Sequence, residues 1–80
     1  MKNILIIEDE KKIRRYLQLE LEHEKYSVDT AQDGEEGIEK FKNNFYDIIL
    51  LDLMMPKFSG EEVCKIIRKT SNIPIIVLTA

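Results

Sequence analysis

The stretch Asp47-Ile48-Ile49-Leu50-Leu51-Asp52-Leu53-Met54-Met55-Pro56 decides how the chain is read. Its apolar run is too short for a helix of ordinary length and is rich in Ile and Leu. A run of this kind that ends in polar and Pro-bearing sequence reads as a strand buried on both faces. Three more segments share its character: Asn3–Ile7, Tyr26–Ala31 and Ile73–Leu78. Tyr26–Ala31 is the most polar of the four and is therefore expected at an edge of the sheet. Pro74 falls at the start of the last run, where a missing N–H does least harm to a strand.

Helical periods lie between the strands. Ile13, Leu17 and Leu21 recur every four residues from about Glu10 to Lys25, with Lys, Arg, Gln and Glu on the other face. Ile38 and Phe41 mark a helix from Gly34 to Asn43, and Val63, Ile66 and Ile67 a third from Gly60 to Thr70. Ser59 with Glu62, and Asp33 with Glu36, have the spacing of capping boxes. The resulting order is β-α-β-α-β-α-β. Alternation with short loops predicts right-handed crossovers and an α/β fold with a parallel sheet.

Composition narrows the possibilities. The 80 residues allow one domain, with 44% hydrophobic and 34% charged residues, as expected of a globular chain. No apolar run approaches the roughly 20 residues that span a bilayer. The segment Met1–Ile7 runs into Glu8 and is too short for a secretory signal, so the cytoplasm is the expected compartment. The net charge of −3 argues against a basic face that grips nucleic acid. One cysteine, Cys64, and one histidine, His23, exclude the usual zinc spacings. Cys64 reads as a small buried hydrophobe and His23 as a solvated residue. Tyr16 and Phe58 read as packing or surface aromatics. Lys11, Lys12, Arg14 and Arg15 read as a solvated basic face, with a partner surface as the alternative.

The chemistry concentrates where such a sheet binds ligands, outside the carboxyl ends of its strands. Glu8, Asp9 and Glu10 follow the first strand, Asp52 the third and Thr79 the fourth. Each has an ordinary role when taken alone. Acids favour a helix N-terminus, Asp suits a turn, and Thr suits a strand. Together they fall on one edge of the sheet. Two like charges about 6 Å apart repel by roughly 3 kcal/mol at an effective dielectric near 20. Converging carboxylates therefore need a proton or a cation. Oxygen donors without Cys or His point to Mg2+. A carboxylate beside that ion can attack phosphorus and form an acyl phosphate. No Gly-x-x-x-x-Gly-Lys-Ser/Thr loop and no Gly-x-Gly-x-x-Gly is present, which sets nucleotide-binding loops aside. Phosphatases with an Asp nucleophile carry a second Asp two positions on, where this chain has Met54. A piece of a (β/α)8 barrel fits the alternation but leaves the Glu8, Asp9, Asp52 and Thr79 set unexplained.

The stretches Ile4–Glu10, Asp47–Pro56, Ser59-Gly60 and Ile73–Ala80 closely resemble the receiver domain of two-component response regulators. The wording around Met54-Met55-Pro56 and the Leu78-Thr79-Ala80 ending look most like receivers joined to a winged-helix DNA-binding domain. The resemblance implies a flavodoxin-like doubly wound parallel sheet, here partial, with strand order 2-1-3-4. It implies a phosphoacceptor rather than a turnover enzyme. Asp52 would take a phosphoryl group from a sensor histidine kinase, and Thr79 would hydrogen-bond a phosphoryl oxygen as a switch. Mg2+ would be held by Asp9 and Asp52, by Glu8 through water, and by the backbone carbonyl of Met54. Pro56 and Gly60 would shape the loop beyond Asp52, and Ala80 would leave room over the site. DNA would be reached only through an output domain outside this chain. The first helix borders the kinase-docking surface in receivers.

The family's fifth strand, its lysine and its last two helices have no counterpart in these residues, so the chain reads as the N-terminal part of a receiver. Weak or undetectable Asp52 phosphorylation is expected without that lysine. The alternative reading is a truncated or engineered half-domain that self-associates. Two chains would pair through an uncovered sheet, with Ile75–Leu78 near the contact, in a homodimer or larger oligomer.

Overall fold

The computed structural model describes residues 1–78. Its elements are β1 (Asn3–Ile7), α1 (Lys11–His23), β2 (Ser27–Ala31), α2 (Gly34–Asn43), β3 (Ile48–Asp52), α3 (Gly60–Arg68) and β4 (Ile75–Leu78). All strand pairs are parallel, in the order β2-β1-β3-β4. The expected fold is therefore observed, with the polar strand β2 at an edge. β1 and β3 lie at the centre, with Ile7 level with Leu51 and Asp52 level with Leu78.

The continuous apolar runs have a simple cause. Side chains alternate across a strand, and both faces of this sheet carry a core. Leu5, Ile7, Ile49 and Leu51 face the α2 and α3 layer, where they meet Ile38, Val63 and Ile67. Ile4, Ile6 and Leu50 face α1 and meet Leu17 and Leu21. Cys64 and Phe58 are partly buried against the first cluster, while Tyr16 and His23 are exposed.

The two layers are unequal. α1 packs against β1 and β2, and on its side the β3–β4 half of the sheet carries no helix among the described residues. Ile13, expected on the buried stripe, is accordingly half exposed, and so is Ile76 of β4, which is level with Leu50 on the same face. No residue of α1 is fully buried.

Local signals account for the element ends. Ser59 and Glu62 form the reciprocal capping box that starts α3. Asp33 accepts from the Glu36 amide, but Glu36 reaches past it to the Gln32 amide, so that second box is open by one residue. α1 ends in a Schellman turn, with Tyr26 N–H bonded to Leu21 O and Lys25 N–H to Glu22 O. Lys25 takes the left-handed conformation there, at φ 74°, without being glycine. The sequence places the third strand at Asp47–Leu51, and β3 runs one residue later, over Ile48–Asp52. Asp47 lies outside it and accepts from the Asn3 amide, whereas Asp52 is its last residue. β4 likewise begins at Ile75, after Pro74, whose carbonyl accepts from Ile49 N–H.

Candidate functional site

The loop after β1 is pinned from several sides. Glu8 N–H extends the ladder to Ala31 O, and the Glu10 amide donates to the Glu8 carboxylate at 2.9 Å. Glu10 is the N-cap of α1, where its own carboxylate accepts from Lys12 N–H. Asp52 ends the neighbouring strand, and one of its oxygens accepts from Met54 N–H at 2.9 Å. The loop after Asp52 is held down by α3. Gly60 donates to Leu53 O, and a Cβ on Gly60 would lie 2.3 Å from Asp52 O. Only glycine permits that approach, so Gly60 shapes the loop, as expected.

These elements bring three carboxylates together. Glu8, Asp9 and Asp52 each offer an oxygen, and the three lie within 4.8 Å of one another. Glu8 and Asp52 are buried, while Asp9 is exposed and opens the cluster to solvent. A groove of about 440 Å³ includes the cluster, with Ile13, Leu17 and Leu78 also among its lining residues. Met54 lies beside it and is 73% exposed.

Charge is the problem this arrangement poses. Burial pushes the Glu8 carboxyl up to about 7. The Glu10 amide opposes that rise, and the neighbouring Asp52 and Asp9 carboxyls contribute to it. Neither described salt bridge supplies a cation to these acids, since both belong to Lys40. Three hard oxygen donors without a partner cation fit a small divalent ion such as Mg2+. Glu8, Asp9 and Asp52 are thus brought together as the sequence suggests. Thr79 lies outside the described residues, as does Ala80.

One residue was misread from sequence. Arg14, assigned to a solvated basic face, is half-buried and donates to the backbone carbonyls of Glu8 and Asp9. Its position four residues after the helix N-cap was the available signal, because helical side chains lean back toward the N-terminus. Lys11, Lys12 and Arg15 are exposed as expected.

A parallel α/β sheet with paired acids after its first strand and an aspartate ending its third defines a class. The response regulator receiver domain family matches residues 4–80, and the chain belongs to it. It is 50% identical over all 80 residues to the response regulator ArlR of Staphylococcus aureus, and it spans 36% of the length of that curated relative. It superposes on the response regulator TrrA of Thermotoga maritima, solved in complex with Mg(2+)-BeF, with a TM-score of 0.95 at 48% identity. That match covers all of this chain and 70% of TrrA. TrrA has also been solved in complex with the histidine kinase ThkA, and this chain matches it there with a TM-score of 0.92. Among the described residues, no helix is long and apolar enough to cross a membrane.

Proposed function

We propose that this chain is the phosphoacceptor part of a two-component switch, with Asp52 as the residue that carries the phosphoryl group. The convergence of Glu8, Asp9 and Asp52 within 4.8 Å carries the reading. A carboxylate oxygen of Asp52 attacks phosphorus, and the new O–P bond forms as the donor's bond to phosphorus breaks. The donor leaves with the electron pair of that bond and takes up a proton. Asp9 and Asp52 are the direct candidates to hold Mg2+, Glu8 contributes through water, and Met54 contributes its backbone carbonyl. Bound there, the ion supplies positive charge against the transferred group. Met54 N–H holds one Asp52 oxygen and so fixes the carboxylate's orientation. Thr79 is the candidate hydroxyl for a phosphoryl oxygen.

The donor is a sensor histidine kinase in this reading, supported by the kinase complex of TrrA. An output domain that binds DNA belongs to a longer protein of the ArlR kind. The reading places the protein in the cytoplasm.

Exposure to a small-molecule phosphodonor with Mg2+, followed by intact mass and peptide mapping, tests the assignment. A single phosphoryl group at Asp52 is expected, at low occupancy in the 80-residue chain. It is lost on chelation and in Asp52→Asn. Labelling of another residue, or labelling without Mg2+, overturns it. Stoichiometric labelling would show that the family's lysine is dispensable.

The half-exposed Ile76 on β4 favours a second reading, in which two copies of this chain pair through the half of the sheet that carries no helix on the α1 side among the described residues. Light scattering at micromolar concentration should then report a dimer or larger species. A folded monomer refutes it.

A further inference from the structure

Arg14 lies in the opening turns of α1, with its side chain directed back over the loop that carries Glu8 and Asp9. Its Nη1 donates to Glu8 O at 2.9 Å and to Asp9 O at 3.4 Å. β1 ends at Ile7, and its ladder to β2 closes with Glu8 N–H on Ala31 O. The two carbonyls beyond that point need another donor, and Arg14 provides it. They belong to the two peptide units that flank the Asp9 Cα. Fixing both units fixes the direction in which the Asp9 side chain leaves the backbone. Asp9 is exposed, so packing does not aim it. The guanidinium contacts backbone, and neither described ion pair involves it.

We propose that Arg14 is a positioning residue. It clamps the Glu8–Asp9 backbone so that both carboxylates stay aimed at Asp52 around a divalent cation. This rests on the metal reading above. Outer residues that orient metal ligands commonly change affinity about 10- to 100-fold when removed.

Charge and positioning predict opposite signs here, which makes the inference testable. A cation near the site repels Mg2+, so loss of charge alone would tighten binding. Loss of the clamp loosens it. Arg14→Met keeps most of the aliphatic stem and removes every donor. Arg14→Gln removes the charge and keeps an N–H donor. Mg2+ affinity is measured by isothermal titration calorimetry on the wild-type chain and both variants. Hydrogen exchange of the Glu10 amide is followed without metal, and circular dichroism checks folding.

Arg14→Met is expected to weaken Mg2+ binding about tenfold or more. It should also speed Glu10 exchange in the metal-free protein, because the loop that presents the Glu8 carboxylate to that amide loosens. Arg14→Gln is expected to lose less affinity, and it carries the comparison if Arg14→Met does not fold. Unchanged or tighter binding in Arg14→Met, or tighter binding in Arg14→Gln, overturns the inference while the metal site stands. Failure of the wild-type chain to bind Mg2+ overturns both.

Discussion

Asp29 and Glu8 are carboxyls set against the same sheet, and the chain treats them in opposite ways. Asp29 faces α2 from the edge strand β2. Tyr46 donates its hydroxyl to Asp29 at 2.6 Å, and Lys40 binds both Asp29 and the Thr30 carbonyl. Burial pushes Asp29 up, but Tyr46 and then Lys40 outweigh it and hold the carboxyl below its ordinary range. The same contact and its own burial raise the Tyr46 hydroxyl well above the usual tyrosine value. Glu8, at the carboxyl end of the sheet, has Asp52 and Asp9 for neighbours and is pushed up to about 7. One cluster is completed by residues of the chain. In the other, no described salt bridge reaches the carboxylates, which fits an ion supplied from outside. An inward charge on an edge strand also discourages pairing with another chain, so Asp29 has a structural use.

The largest expected effect separates the clusters by pH. Glu8 titrates higher in the folded state than its ordinary 4.5, so the folded state holds its proton more tightly. Its contribution to stability is greatest below about 4.5 and declines as pH rises toward about 7. Each unit corresponds to about 1.4 kcal/mol, so the decline is of order 2–3 kcal/mol. Asp29 has the reverse sign. It stabilises above its ordinary 3.8, and that stability is lost as pH falls through its lower folded value. Urea midpoints of the metal-free protein should therefore fall between pH 4.5 and 7. Mg2+ and Glu8→Gln should each flatten the slope. A flat profile in the wild-type chain would erase the contrast between the two clusters.

A smaller effect tests the metal set. Asp9→Asn keeps the shape and removes one carboxylate charge, so Mg2+ affinity should fall at least about tenfold by calorimetry. The metal-free protein should lose little stability, because Asp9 is exposed.

The smallest effect belongs to the self-completed cluster. Tyr46→Phe removes the hydroxyl from Asp29 and should cost about 1 kcal/mol by urea unfolding. The figure sits low because the Asp29 side chain is 43% exposed. Mg2+ affinity should not change, and a change would mean that the two clusters are coupled through the sheet.

Much of this was legible in the residues themselves. α2 begins and ends where its period, Asp33 and Asn43 put it. The Ser59–Glu62 box marked the start of α3 because both partners lie within one turn. Asp52 could be placed near Glu8 because parallel strands put their carboxyl ends on one edge. The misreadings share a different origin. Ile13 has the spacing of a core residue, but a period reports a face and not whether a neighbour covers it. Glu36 bonded Gln32 in place of Asp33, a choice made by the entry path of the chain. Arg14 looked like any other basic residue in a run of four.

The order of elements, the two-sided core and the set of acids at one edge were determined by the sequence alone, since local period and strand polarity suffice for them. Tertiary structure decided which charges find partners. Lys40 reaches Asp29 across the gap between a helix and a strand, and Arg14 turns from solvent to two carbonyls that no strand takes. Distances of a few ångströms set those electrostatic outcomes, and residues far apart in the chain acquire such distances only when it folds.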